Sequence, residues 1–174
     1  NLQKDAEVRC IILTGNGRAF CSGDDVREIM VKIGSGEGGS NRLRDIRPGT
    51  TPAARAILEC DRPIIAAVNG AAVGWGMDLS LMADFRIASS SAKFGELFVK
   101  RGLVADVGGL VRLPKIVGPQ KAAELLFTGD IITAEEAKEI GMVLQITSPD
   151  ELLGKAAELA GRISCNPPLA VRYL

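Results

Sequence analysis

The sequence predicts an α/β domain with parallel strand pairing, and three observations support this prediction. Apolar runs of strand length, such as residues 8–14 and 64–68, alternate with segments of helical periodicity, such as residues 150–164. Glycine- and proline-containing turns separate many of these runs. Hydrophobic residues make up 47% of the chain, aromatic residues only 4%, and there are 20 glycines. Small branched side chains must therefore build a core in which helices pack closely on sheets.

In the first third of the chain, a strand at residues 8–14 ends at a Gly-Asn-Gly turn, and a helix is expected at residues 25–33. Residues 34–51 are glycine-rich and lack apolar periodicity, so a mobile active-site loop and a disordered surface loop are both open interpretations. A helix is expected from Thr51 through Cys60, because threonine is a good N-cap and Pro52 suits the first helical position.

After the strand at residues 64–68, a glycine-flanked turn at residues 74–76 opens a helix. Short strands are expected at residues 84–88 and 93–94, and the chain becomes helical after Glu96. Further elements follow: helices at 110–117, 119–128 and 133–140, a strand at 143–147, an amphipathic helix at 150–164 expected to pack outside the core, and a helix beginning after Pro167.

Composition excludes several classes of protein. Lys+Arg and Asp+Glu both number 21, so the zero net charge favours neither nucleic acid nor a membrane surface as a partner. The four cysteines are far apart, which argues against a zinc site or a disulfide scaffold and fits a cytoplasmic protein. No long apolar run or signal peptide is present, so a soluble protein is expected. Both ends of the sequence resemble interrupted helices, which suggests a fragment of a longer chain.

The chain has no histidine. This excludes Ser-His-Asp triads, Cys-His dyads and histidine-ligated metals, and no metal site is expected. Asp, Glu, Lys, Tyr or Cys must therefore perform any acid–base chemistry.

Two glycine turns are the strongest functional signal. One lies in the segment Ala-Phe-Cys-Ser-Gly-Asp-Asp-Val at residues 19–26, and the other is Gly74-Trp75-Gly76. Glycine lets a ligand approach the backbone, and the first N–H groups of a helix have no partner within the helix. Such N–H groups, with the helix dipole, can stabilise a developing oxyanion.

These two turns, with Ala-Ala-Val-Asn-Gly before the second and Met-Ala-Asp-Phe-Arg-Ile-Ala after it, closely resemble the crotonase (enoyl-CoA hydratase/isomerase) superfamily. A later segment, residues 128–141, resembles the family's T-G-D-x-I-x-A-x-E-A-x-x-x-G motif. The resemblance implies a ββα superhelix core at residues 1–149 with its N-terminal strands missing. It also implies that residues 150–174 begin a C-terminal helical, oligomer-forming region. Backbone N–H groups of Asp24 and Trp75 would form the oxyanion hole.

The family's hydratases use two glutamates that hold one water. The resemblance places Asp78 at the first of these positions and Phe98 at the second, and Glu96, two residues away, is expected to face elsewhere. Asp106, in Gly-Leu-Val-Ala-Asp-Val-Gly-Gly, matches the acid–base aspartate of relatives that shift double bonds. Both aspartates have structural alternatives: Asp106 as a helix N-cap, and Asp78 as a carboxylate favoured by the helix dipole.

The resemblance also assigns binding residues. Ser22, Asp25, Val26 and Arg27 would contact coenzyme A, which belongs to the substrate, so no separate cofactor is expected. Trp75 and Phe98 would line the acyl pocket. Asp84 and Arg86 are expected to be structural.

Proton-shift chemistry on Asp106 is the favoured reaction, with hydration by Asp78 and Asp106 and hydrolysis of a cyclic keto-acyl-CoA as alternatives. A non-catalytic member of the fold is the alternative from another class. Family members imply an acyl-CoA substrate and a homotrimer or dimer of trimers, whose contacts would involve residues 150–164 and the helix after Pro167.

Overall fold

The computed structural model describes residues 2, 5–23, 51–105 and 107–174. The helix expected at residues 25–33 lies outside these ranges, and so does the loop expected at residues 34–51 except for its last residue, Thr51. The same is true of Asp106 and of four further predicted site residues: Asp24, Asp25, Val26 and Arg27.

The fold is built from pairs of short strands. β1 (Ile11–Thr14) is followed by β2 (Ala19–Cys21), β3 (Ile64–Val68) by β4 (Ala71–Val73), and β5 (Phe85–Ser89) by β6 (Lys93–Gly95). The first strand of each pair joins one sheet and the second joins another. Helix α1 (Pro52–Leu58) precedes β3, α2 (Trp75–Met82) follows β4, and a 3₁₀ helix (Leu97–Arg101) follows β6. This repeat is the predicted ββα superhelix.

The two sheets have matching orders. The first is β1-β3-β5-β8, in which β8 is Gln145–Thr147 and all neighbours are parallel. The second is β2-β4-β6-β7, in which β7 is Ile132–Thr133 and only the last pair is antiparallel. The remaining helices are α3 (Gly109–Val117), α4 (Pro119–Thr128), α5 (Ala134–Glu139), α6 (Leu152–Ser164) and α7 (Pro168–Arg172).

Asn69 holds two successive strand pairs together at their corners. Its side-chain oxygen accepts a hydrogen bond from the N–H of Gly15 at 3.0 Å, and its amide nitrogen donates to the carbonyl oxygens of Gly17 (2.9 Å) and Ala19 (3.3 Å). A Cβ on Gly70 would collide with the carbonyl oxygen of Arg18. Close approach of the two corners therefore requires glycine, and the Asn69 amide fixes their relative position.

Strand β3 is buried on both faces, as its continuous apolar run predicts. Ile64, Ala66 and Val68 belong to the main core cluster. Ile65 and Ala67 belong to a second cluster with Leu152 and Ala156 of α6. The apolar stripe of α6, expected outside the core, thus packs on the chain's own sheet, so these buried side chains are not available to a partner subunit.

Thr51 caps α1 as predicted, since its side-chain oxygen accepts a hydrogen bond from the N–H of Ala54 at 3.2 Å and Pro52 occupies the first turn. Of the helices in the described ranges, none has the length and apolar character needed to cross a bilayer.

Candidate active site

The two glycine turns lie side by side because β2 and β4 are neighbouring parallel strands. Carboxyl ends of parallel strands meet at one edge of a sheet, and each turn follows such an end. A Cβ on Gly76 would collide with the carbonyl oxygen of Cys21, and a Cβ on Gly23 would lie 3.2 Å from the carbonyl oxygen of Val73. Backbone therefore packs directly on backbone where the two turns meet.

The second turn presents a free donor, the backbone N–H of Trp75. The N–H of Gly74 donates to the carbonyl oxygen of Gly95 at 2.8 Å, and those of Met77 and Asp78 donate back to the carbonyl oxygen of Gly74. Trp75 is the first residue of α2, and its N–H has no acceptor among the described residues. A Cβ on Gly23 would lie 3.5 Å from this nitrogen. The free donor, at the positive end of the α2 dipole, can bind a carbonyl oxygen or an anion.

Two carboxyl groups are buried beside this turn. Asp78 lies in the first turn of α2, and Glu96 follows β6 directly; each is 1% exposed. The hydrogen bond from Gly74 to Gly95 ties the start of α2 to the end of β6. Because Asp78 is one helical turn beyond Gly74 and Glu96 is the residue after Gly95, this connection brings the two carboxyls together.

Glu96 is strongly perturbed by these surroundings. Burial, the negative charge of Asp78 and a hydrogen bond with Asp78 together raise the pKa of Glu96 from 4.5 to about 8, and burial is the largest of the three causes. A carboxyl in this state is protonated at neutral pH and can act as a hydrogen-bond donor.

Gly109, the first residue of α3, closes over the pair. A Cβ on Gly109 would collide with Oδ1 of Asp78 and would lie 2.9 Å from Oε1 of Glu96. The backbone of α3 can approach the carboxyls this closely only because residue 109 has no side chain. The pair is therefore enclosed by three elements: α2, the end of β6 and the start of α3.

The expectation that Glu96 faces elsewhere is wrong. Counting residues along the turn after β6 could not reveal the contact, because the side-chain direction depends on how β6 pairs with β4. The register pairs Val73 with Gly95, which sets Gly74 level with Glu96. Had this register been predicted, it would have placed Glu96 beside the first turn of α2.

Three other predicted site residues, Ser22, Phe98 and Trp75, are exposed or half-buried. Ser22 is exposed at the end of β2, and Phe98 is half-buried in the 3₁₀ helix. Trp75 is half-buried, and its indole N–H is enclosed without an acceptor among the described residues. Within the described ranges, no three His, Cys, Asp or Glu side chains cluster closely enough to hold a metal ion.

Asp84 and Arg86 have structural roles, as predicted. Oδ2 of Asp84 accepts a hydrogen bond from the N–H of Ile64 at 2.8 Å. The buried Arg86 guanidinium donates to the carbonyl oxygens of Ser80 (3.1 Å) and Ala83 (2.7 Å) at the end of α2, and to that of Met142. Arg86 thus supplies donors to carbonyls at the end of α2, where the helix leaves its last carbonyls without partners one turn further on. It holds the far end of the helix that carries Asp78.

Comparisons with known proteins agree with this architecture. The family profile described as "Enoyl-CoA hydratase/isomerase" matches residues 1–174. Crotonyl-CoA hydratase of Syntrophomonas wolfei is 41% identical over 169 residues, covering 97% of this chain and 63% of that protein. Short-chain-enoyl-CoA hydratase of Clostridium acetobutylicum is 38% identical over 172 residues, covering 98% of this chain and 64% of that protein.

A solved structure gives the same result. The crystal structure of enoyl-CoA hydratase from Bacillus anthracis superimposes with a TM-score of 0.82 at 37% identity, covering 98% of this chain and 64% of that one. The chain thus spans slightly less than two thirds of the length of these curated relatives and of this structure.

Proposed function

Because the chain belongs to the enoyl-CoA hydratase/isomerase family, we propose that it processes an enoyl-CoA thioester by moving a proton on the acyl chain, as an isomerase does. The observation that carries this proposal is the free N–H of Trp75 beside a buried carboxyl pair. Enolate chemistry on a thioester needs both features: a donor for the oxygen that gains negative charge, and an acid–base group for the proton.

The reaction proposed is the conversion of a 3-enoyl-CoA to the conjugated 2-enoyl-CoA. A carboxylate removes a proton from C2, and the electrons of the C–H bond delocalise onto the thioester oxygen to give a dienolate. The N–H groups of Trp75 and, by the family resemblance, Asp24 stabilise that oxygen. The protonated carboxyl then returns the proton to C4, and no other reactant is consumed.

Two aspartates are candidates for the proton carrier. Asp78 lies three residues after Trp75 in the same helix and is buried. Asp106, which lies outside the described residues, matches the acid–base aspartate in the family resemblance, and its described neighbours Ala105 and Val107 are buried. We favour Asp106 on the strength of the family resemblance, with Asp78 as the alternative proton carrier.

Hydration of a 2-enoyl-CoA is the second candidate reaction. Glu96 favours it, since a second carboxyl beside Asp78 would hold the Asp78 carboxylate in place while that carboxylate activates the water. The relatives named crotonyl-CoA hydratase and short-chain-enoyl-CoA hydratase add support from similarity.

We expect the purified protein to convert 3-enoyl-CoA to the conjugated 2-enoyl thioester, measured as a growing absorbance of the conjugated product. Asp106→Asn should reduce kcat by about 10²- to 10⁴-fold if Asp106 carries the proton. Asp78→Asn is tested separately. If Asp78→Asn is inactive and Asp106→Asn is active, Asp78 carries the proton.

The same assay with 2-enoyl-CoA distinguishes the alternatives. If the conjugated absorbance is lost with 2-enoyl-CoA and the 3-enoyl isomer does not react, the reaction is hydration and not isomerisation. Binding of both thioesters without turnover would identify a non-catalytic member of the fold, and turnover of only a cyclic keto-acyl-CoA would identify a hydrolase.

We also propose which residues contact the substrate. Ser22, with Asp25, Val26 and Arg27, is placed at coenzyme A by the resemblance, and Trp75 and Phe98 are placed at the acyl group. The homotrimer or dimer of trimers also stays a prediction.

A further inference from the structure

We propose that Glu96 carries the proton of the buried pair and donates its hydrogen bond to Asp78, so that the pair holds one negative charge and that charge lies on Asp78. Glu96 would then be a positioning residue that acts through Asp78, rather than a base that attacks substrate or water. This inference rests on the proposed function for its catalytic consequence only. The state of the carboxyl pair can be measured without any substrate.

Both carboxyls of the pair are enclosed by protein. Both side chains are 1% exposed, and the backbone of Gly109 lies against Asp78 Oδ1 and near Glu96 Oε1. Two ionised carboxylates this close in a buried site would repel each other and lose their hydration, so one must keep a proton. The geometry therefore requires a pair that shares one proton.

The helix dipole of α2 determines which carboxyl keeps the proton. Asp78 lies in the first turn of the eight-residue helix α2, where the helix dipole favours a negative charge. Glu96 is the N-cap residue of the 3₁₀ helix, but its side chain accepts no capping hydrogen bond there. The raised pKa of Glu96 agrees with this assignment.

Charged groups on several elements surround Glu96. From α2 the facing group is Asp78, whose charge raises the pKa of Glu96. On α3, Arg112 donates to the carbonyl oxygen of Val107 at 3.0 Å. Near the end of β6, Asp130 forms an exposed ion pair with Lys100 at 3.4 Å. Asp106 precedes α3 and lies outside the described residues, so the experiment includes it as a variant.

The decisive measurement is infrared spectroscopy of the ligand-free protein during a pH titration. We expect a carbonyl stretch of a protonated carboxylic acid at neutral pH that disappears as the pH rises through about 8. The band should be absent from Glu96→Gln and present in Asp106→Asn. Absence of the band from the wild type at neutral pH would overturn the proposal, as would its persistence in Glu96→Gln.

Kinetics supply the second readout. Glutamine keeps the size and donor capacity of a protonated glutamic acid, so Glu96→Gln should retain kcat within a few-fold and lose the decline in activity above pH 8. Glu96→Leu removes the donor and should reduce kcat by about 10²-fold or more. A loss in Glu96→Gln as large as that in Asp78→Asn would overturn the proposal, because the ionised form of Glu96 would then be the active one.

The proposed function and this inference fail separately. If the wild type turns over neither enoyl-CoA isomer, the proposed reactions fail, and the infrared titration alone decides the protonation of Glu96.

Discussion

Gly23 and Gly17 adopt nearly the same backbone conformation, with φ of 85° and 82°, but their surroundings differ. A Cβ on Gly17 would have nothing within 4 Å, whereas a Cβ on Gly23 would lie 3.5 Å from the nitrogen of Trp75. Any other residue pays for positive φ at both positions. Only at position 23 would a side chain also lie in van der Waals contact with the free N–H of the second turn.

We therefore expect alanine substitutions at the two glycines to reduce stability equally but to affect activity differently. Gly23→Ala and Gly17→Ala should each lower the free energy of unfolding by roughly 1 kcal/mol, because both force alanine into the left-handed region. Only Gly23→Ala should also lower kcat/KM with the enoyl-CoA substrate, by about 10²-fold, as expected when an oxyanion donor is blocked. Chemical denaturation and steady-state kinetics on both variants check this, and equal activity in the two would contradict a role for the Trp75 N–H.

The residues of the site were predictable from sequence to differing degrees. The start of α2 at a glycine-flanked turn and the position of Asp78 in its first turn follow from local signals, namely glycine spacing and helix-terminus chemistry. The Glu96–Asp78 contact does not, because it depends on the register between β4 and β6, which lie some 20 residues apart in sequence. Local patterns carry no information about such a register.

The longer elements were predicted more accurately than the short ones. Helix α6 and strand β3 fall within or match their predicted ranges, since a long stripe or a continuous apolar run is a strong signal. β2 and β4 have three residues each and β7 has two, too few to show any alternation, so none of them was predicted. They exist because neighbouring strands of the superhelix supply hydrogen-bond partners.

The packing of α6 provides a test at the level of one element. Leu152 is 2% exposed and packs with Ile65 and Ile87, whereas Leu153, the next residue, is 53% exposed. Leu152→Ala should lower the free energy of unfolding by about 2–5 kcal/mol, the range for cavity-forming substitutions. Leu153→Ala should change it by less than about 0.5 kcal/mol. Urea denaturation of the two variants measures the difference, and similar losses would contradict the packing of α6 on the first sheet.

Across the whole molecule, the absence of histidine leaves an unusually clear pH window. No side chain with an ordinary pKa changes charge between about pH 5 and pH 8 in such a chain. Glu96, with its pKa raised from 4.5 to about 8, is a described residue that titrates across this window in the folded state. We therefore expect Glu96 to contribute to the pH dependence of stability in this range.

The difference in proton binding between the folded and unfolded protein determines whether the free energy of unfolding rises or falls with pH. Between pH 4.5 and about 8 the folded protein keeps the Glu96 proton and the unfolded chain releases it, so the free energy of unfolding should fall as pH rises. The contribution is fully present below pH 4.5 and is lost by about pH 8, with a total on the order of a few kcal/mol. Glu96→Gln should flatten this dependence. Denaturation midpoints for both proteins across the window measure it, and parallel curves would contradict the assignment.

The parallel pairing of β2 with β4 has a consequence for how the site tolerates change. Adjacent strands lie about 4.8 Å apart whatever connects them, so the spacing of the two turns is independent of the roughly 50 residues between them in the sequence. Insertions and deletions within that connection can therefore accumulate during evolution while the separation of the two glycine turns is preserved. One residue added inside β4, by contrast, would displace the start of α2 relative to β2 by about 3.3 Å, a change that no side-chain substitution could reverse.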